Sequence, residues 1–167
     1  MMNEKHFLKT REYLNQVKEA AQKVEMLKKR IEFREQAGMD VSGLPAELES
    51  ATQAYSEKVV ELSDMIARVP KVGYQWILVK RYVELLGWDE IAREGNISYR
   101  TVISDHGLAL PEMQDVLVEA GIICSEDAED IKTLLEEEGT MDIGTMEDYL
   151  KYRVEKKNAS YAGDQNL

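Results

Sequence analysis

The sequence predicts an all-α protein built from a long antiparallel helical hairpin, a small helix-turn-helix domain and an acidic, partly helical C-terminal tail. Three observations support this fold class. A long early stretch without proline or glycine repeats its apolar residues every seven positions, which is typical of paired helices. A helix-turn-helix pattern follows it, and acidic residues then concentrate towards the end. We place the three parts at residues 1–70, 71–110 and 111–167.

The hairpin is expected to consist of one helix over residues 4–36 and a second from Pro45 to about Val69. The first stretch is rich in helix-forming residues, and proline suits the first turn of the second helix. The apolar stripe of the first helix comprises Phe7, Leu14, Ala21, Val17, Val24 and Ile31. Matching stripes and a short loop predict that the helices fold back on each other. A homodimer formed through this hairpin is a further expectation.

The helix-turn-helix pattern occupies residues 77–110. A helix over 74–86 precedes a short helix over 88–94, and Gly95-Asn96 form a turn because both residues tolerate the left-handed conformation. Ser98 is expected to cap a second helix over 99–110, and Pro111 to end it. The residues expected to face inward are Ile91, Ala92 and Val102.

The start of the second helix carries the candidate DNA contacts, because this part of such a motif meets base edges in the major groove. Arg100 is the strongest guanine reader there, since a guanidinium can bind guanine O6 and N7 together. The candidate contacts from this helix are Tyr99, Arg100, Thr101, Ile103 and Ser104. Lys80 and Arg81 are expected to lie towards the DNA backbone.

Several short runs in this region form a recognisable set. They are Arg81-Tyr82, Trp88-Asp89-Glu90-Ile91-Ala92, Ser98-Tyr99-Arg100-Thr101-Val102, and His106 ahead of Ala109-Leu110. The set resembles the sigma-factor segment that reads the upstream promoter element, and more closely the phage-encoded transcription regulators of the RinA and ArpU type. The resemblance covers roughly the first two thirds of the chain. Gly95 and Asp105 depart from the family pattern, which usually has apolar side chains there.

The resemblance implies a sequence-specific regulator of transcription, of phage or prophage type, that binds double-stranded DNA. We also expect a further partner, RNA polymerase or another protein, bound through the hairpin or through the acidic tail, which lies outside the resemblance. The tail is expected to act either as a lid that competes with DNA or as a docking surface for another protein.

The net charge of the chain is compatible with a second class of function, that of a protein-interaction adaptor. Lys and Arg number 21 and Asp and Glu 32, for a net charge of −11. Residues 71–110 hold five groups of each sign, whereas residues 111–167 hold five basic and fifteen acidic groups. Such a balance disfavours a broad phosphate-binding surface. The alternative is a protein-interaction adaptor with a degenerate helix-turn-helix, acting through the hairpin and tail.

No residue pattern indicates an enzyme, a cofactor site or a metal site. Cys124 is a single cysteine, expected to be a small buried hydrophobe, and it lies far from His6 and His106, so no metal-ligand spacing is present. His106, Trp76 and Trp88 are expected to pack in the interior. Without an apolar signal core or a membrane-spanning run, the expected location is the cytoplasm.

Overall fold

Six α-helices account for most of the described chain, which in this computed structural model comprises residues 6–130. They are α1 (Leu8–Leu14), α2 (Gln16–Gln36), α3 (Leu44–Ile66), α4 (Val72–Leu78), α5 (Trp88–Gly95) and α6 (Tyr99–Glu119). A π-helical segment, Val79–Val83, extends α4, and a 3-10 turn, Ser125–Asp127, follows α6. Residues 6–130 contain no strand, so the all-α prediction is confirmed for this part of the chain.

The first predicted helix is divided in two. It begins only after Phe7, whose backbone is left-handed with φ 57°. The side chain of Phe7 is buried, and its N–H donates to Glu129 Oε1 at 2.8 Å. Asn15 separates α1 from α2, although its N–H still donates to the Arg11 carbonyl at 2.9 Å. Tertiary contacts at Phe7 therefore set the start of the helix, in preference to local helix propensity.

The second long helix begins as predicted and ends earlier than predicted. Pro45 lies in the first turn of α3, where its missing N–H costs no hydrogen bond. Gly43 precedes the helix with φ 83°, a conformation that favours glycine. The helix ends at Ile66, and Val69 is buried in the core beyond it. α2 and α3 pack on each other more extensively than any other pair of described helices.

The predicted helix over 74–86 changes its winding part of the way along. After Leu78 the backbone takes up π-helical bonding, in which the Glu84 N–H donates to the Val79 carbonyl at 2.9 Å. Leu85 then adopts a left-handed conformation with φ 59°, which is unusual for a bulky residue. The Leu86 N–H bonds to the Lys80 carbonyl at 3.0 Å and closes the segment.

The prediction that Pro111 ends the helix that begins at Tyr99 is wrong, because α6 continues through it to Glu119. Proline inside a helix costs about 3 kcal/mol. Met113 and Leu117, two and six residues farther on, are fully buried, and burying each such side chain contributes about 1.5–3 kcal/mol. Packing of the second half of α6 therefore outweighs the proline penalty.

The main core lies where α1, α4 and α6 meet the adjoining ends of α2 and α3. Its fully buried members include Leu14, Val17, Ile66, Leu78, Ala109, Met113 and Leu117. The chain after α6 packs back on α6 and on α1. Gln114 of α6 exchanges two hydrogen bonds with the backbone of Glu129, at 2.7 and 3.0 Å. Lys9 also pairs with Asp127 at 2.7 Å.

The segment expected to be an acidic tail thus divides in two. Residues 111–123 complete the core, and residues 131–167, where most of the predicted tail falls, lie outside the described residues. Cys124 is exposed, so the prediction that it is buried is wrong. None of the helices within residues 6–130 combines the length and apolar character needed to cross a membrane.

Candidate nucleic-acid interface

Two local features fix the turn between α5 and α6, a left-handed residue and a helix cap. Asn96 follows α5 in the left-handed conformation, with φ 52°, which its short polar side chain tolerates. Ser98 then caps α6, as predicted, because its Oγ accepts from the Thr101 N–H at 3.1 Å. Asn96 to Ser98 therefore form a three-residue connection between the two helices, within the length range of helix-turn-helix motifs.

A small apolar cluster holds α5 and α6 together, separate from the main core. Ile91, Ala92 and Val102 form its buried centre, so the prediction that these three residues face inward is confirmed. Trp76, Leu86 and Trp88 pack around them. Both tryptophans are therefore packing residues, as expected. The cluster fixes how the two helices lie against each other and hence which side of α6 stays uncovered.

Gly95 has a packing role that the sequence did not indicate. It belongs to α5, so of the predicted Gly95-Asn96 turn only Asn96 is left-handed. A Cβ at Gly95 would lie 2.7 Å from Cη2 of Trp76, closer than packed carbon atoms approach. The indole of Trp76 thus occupies the space that a larger side chain at this position would need.

The five candidate contacts on α6 differ in exposure. Tyr99 and Arg100 are exposed, with Tyr99 at 52 % of its full accessibility. Thr101, Ile103 and Ser104 are partly buried. Thr101 is also engaged locally, since its hydroxyl lies 2.8 Å from Ser98 Oγ. Arg100 is therefore the cation most openly presented at the start of the helix.

Lys80 has partners within the protein. Its Nζ lies 2.6 Å from Glu94 Oε1 and 2.9 Å from Glu84 Oε2, which joins the π-helical segment to α5. The pKa of the Lys80 ammonium is raised mainly by its hydrogen bond to Glu94 and, to a lesser extent, by its hydrogen bond to Glu84. Lys80 therefore acts in the first place as a link between these two elements.

Arg81 is held in a similar way. Its guanidinium lies 4.1 Å from the centre of the Trp88 ring, and Nη1 donates to the Leu86 carbonyl at 3.1 Å. The geometry combines a cation–π contact with a capping hydrogen bond. Lys80 and Arg81 would each have to give up these internal interactions in order to contact a phosphate.

His106 packs inside the protein, as expected from the sequence. Its Nε2 lies 2.6 Å from the Tyr82 hydroxyl, and its ring meets Trp88 edge-on at 4.7 Å between centroids. Burial above all, and then the charges of Arg81 and Arg11, lower the pKa of His106 to about 4. Burial likewise raises the pKa of Tyr82 to about 12. Both groups are neutral at pH 7, and the pair joins α6 to the π-helical segment.

Arg93 is an exposed cation near the turn that the sequence analysis did not single out. It is exposed on α5, and its Nε donates to the Asp89 carbonyl at 3.4 Å. The sequence feature that could have identified it is its position at the end of the short helix 88–94, just before Gly95 and Asn96. Two exposed acids on the same helix, Asp89 and Glu90, oppose its charge. The surface around the turn is therefore mixed in charge.

No family model, curated protein or solved structure matches this chain. The resemblance to RinA- and ArpU-type regulators accordingly stays a prediction, and function is inferred from the chain's own residues. Over residues 6–130, no cluster of His, Cys, Asp and Glu is arranged to hold a metal ion.

Proposed function

We propose that this protein is a sequence-specific DNA-binding regulator of transcription, of phage or prophage type. In this proposal α2 and α3 form the predicted antiparallel hairpin, and α5 and α6 form a helix-turn-helix whose second helix reads the major groove. The observation that carries it is the Ser98-capped start of α6, which leaves Tyr99 and Arg100 exposed beside a three-residue turn.

The dimensions and side chains of this surface suit a major groove. The groove is about 12 Å wide, and a helix with its side chains is about 10–12 Å across. Arg100 would bind guanine O6 and N7, and Ile103 would contact a thymine methyl group. Tyr99, Thr101 and Ser104 carry hydroxyls that bind phosphate or base edges.

We assign the contacts with the DNA backbone from the exposure and internal partners of each cation, and not from residue type alone. Arg93 is exposed, whereas Lys80 and Arg81 already have internal partners. We therefore assign the first phosphate contact to Arg93. Lys80 and Arg81 keep a supporting role, in which they fix the π-helical segment and α5 beneath the reading helix.

We propose that other proteins bind the surfaces that do not face DNA. The hairpin and the acidic C-terminal region are the proposed sites for RNA polymerase or another protein. Charge supports this division, because residues 71–110 are electrically balanced while residues 111–167 hold ten more acidic than basic groups. An acidic surface repels DNA and attracts basic protein surfaces.

The second candidate is a protein-interaction adaptor with a degenerate helix-turn-helix. The net charge of −11 favours it, because affinity for DNA comes largely from neutralised phosphates. The two candidates differ in whether Arg100 selects a base.

Selection from a random duplex pool at low salt, with the full chain, separates the candidates. We expect an enriched motif that Arg100→Ala relaxes at one position. Arg93→Ala is the matched control, because losing a phosphate contact weakens binding about uniformly across sequences. If no sequence is enriched, the DNA-reading proposal is rejected and the adaptor is favoured.

A further inference from the structure

The part of α2 and α3 farthest from the main core buries very little. Within residues 26–54, called here the distal segment, only Leu27, Leu44 and Ala51 are buried, and none belongs to a core cluster. Met26 and Phe33 are 72 % and 68 % exposed, the two highest values among the large exposed hydrophobic residues described. Two helices with so thin a core are marginally stable by themselves.

The exposed residues at this end form two stripes with one spacing. The stripe on α2 comprises Lys23, Met26, Arg30 and Phe33, and the stripe on α3 comprises Glu47, Ser50, Ala54 and Glu57. All eight residues are exposed. Each stripe advances by three, four and three residues, which keeps its members on one side of a helix. We call the two stripes together the lateral face.

Helical periodicity puts both stripes on the same side of the pair. At 3.6 residues per turn, each stripe lies about a quarter of a turn away from the side through which its helix meets the other. Because the loop joins Gln36 to Leu44, the helices in the proposed hairpin run back along each other. Lys23 is then level with Glu57, and Met26 with Ala54.

The lateral face is complementary to itself. α2 carries six basic and four acidic residues, whereas α3 carries one basic and five acidic residues. Within residues 6–130, no ion pair joins a side chain of α2 to one of α3, so these opposite charges are not paired inside one copy. The α2 stripe offers bulky apolar side chains, and the α3 stripe offers small ones.

We propose that a second copy of this chain covers the lateral face. A two-fold axis parallel to the helices stacks the two faces so that α2 of each copy lies on α3 of the other. Met26 then packs beside Ala54 of the partner copy, and Lys23 meets the partner copy's Glu57. Phe33 lies level with the partner copy's Glu47 and about one turn from its Ser50. Every contact occurs twice, as a two-fold interface requires, and a four-helix layer replaces an isolated pair.

Sedimentation equilibrium on the full chain, from about 1 μM to about 1 mM, tests this assembly. We expect a dimer whose dissociation constant rises at least about tenfold in Met26→Asp and in Phe33→Asp. Val60→Asp is the matched control, since Val60 is 60 % exposed on the same pair of helices but off the lateral face. It should leave the dimer unchanged, and all of these substitutions are at exposed positions where the fold tolerates them.

A charge exchange tests the pairing itself. Lys23→Glu and Glu57→Lys should each weaken the dimer by roughly twofold to tenfold, and the double variant should regain most of the loss. A wild-type chain that stays monomeric at the highest concentration overturns the proposal. So does a dimer that Met26→Asp leaves intact, or one that Val60→Asp disrupts to the same degree. None of these outcomes depends on DNA binding.

Discussion

The two ends of this molecule use helices in opposite ways. At the core end, α1, α4 and α6 bury apolar side chains from several directions, and Leu14, Leu78 and Leu117 are fully enclosed. In the distal segment, residues 26–54, two helices face each other alone and leave Met26 and Phe33 exposed. Helical structure at both ends therefore accompanies unequal tertiary stabilisation. In our proposals, the core end supports a rigid reading surface, and the distal segment provides an uncovered surface for assembly.

The largest expected effect comes from cutting the chain within α6. A chain ending after Leu110 loses Met113 and Leu117 from the core, whereas one ending after Asp130 keeps every described contact. We expect the shorter chain to be unfolded and the longer one to show cooperative thermal unfolding by circular dichroism. Cooperative unfolding of the shorter chain would contradict this prediction, because it would show that a core forms without Met113 and Leu117.

A matched pair of leucine truncations compares the two ends directly. Leu78→Ala in the core should lower the free energy of unfolding by about 2–5 kcal/mol. Leu27→Ala in the distal segment should lower it by about 1–2 kcal/mol, because few neighbours surround the cavity it leaves. Urea unfolding at low protein concentration measures both. Equal losses would remove the distinction between the two ends.

The largest single contribution to the pH dependence of stability below pH 7 should come from the core end. The pKa of His106 is 6.5 in the unfolded chain and about 4 in the folded protein, so between these values the unfolded chain binds the proton more tightly. The free energy of unfolding should therefore fall as the pH falls from about 6.5 to about 4, by up to about 3 kcal/mol, and this contribution should level off below.

Comparison of the wild type with His106→Gln isolates this contribution from the carboxylates that titrate nearby. Urea unfolding across the pH range should give a difference between the two proteins that varies with pH. A difference that is the same at pH 7 and pH 4 would show that His106 is not buried as a neutral ring.

The smallest effect is expected where α5 meets Trp76. Gly95→Ala gains about 1 kcal/mol of helix propensity but introduces a Cβ 2.7 Å from the indole, and such overpacking costs about 1–3 kcal/mol. A net loss of about 0–2 kcal/mol should follow, with a shift in tryptophan fluorescence. Met39→Ala, at an exposed position in the loop of the distal segment, is the control. Stabilisation by Gly95→Ala would mean that Trp76 moves freely.

Local patterns in the sequence were enough to predict where most helices lie and that Ser98 caps α6. Proline and glycine marked the loop before α3, and Ser98 was correctly assigned as the cap of α6. Ile91, Ala92 and Val102 were identified as inward-facing from their spacing. Each of these features depends on residues close together in the chain, which is why periodicity and capping rules detect them.

Contacts between distant residues account for what the sequence did not predict. Local rules predict a helix end at Pro111, because they include the cost of proline but not the burial of Met113 and Leu117. No local rule indicates that Lys80 bonds to Glu94, fourteen positions later. The π-helical bonding after Leu78 likewise has no local signal in the sequence.

Base reading by Arg100 is the central claim, and a double-mutant cycle tests it most directly. Wild type and Arg100→Ala would each be titrated against the selected duplex and against one whose contacted guanine is replaced by 7-deazaguanine. We predict a coupling free energy of about 1–3 kcal/mol, because Arg100→Ala removes the guanidinium and 7-deazaguanine removes the N7 acceptor on which the bidentate contact depends. A coupling near zero, with both single changes harmless, would contradict the assignment of α6 as the reading helix.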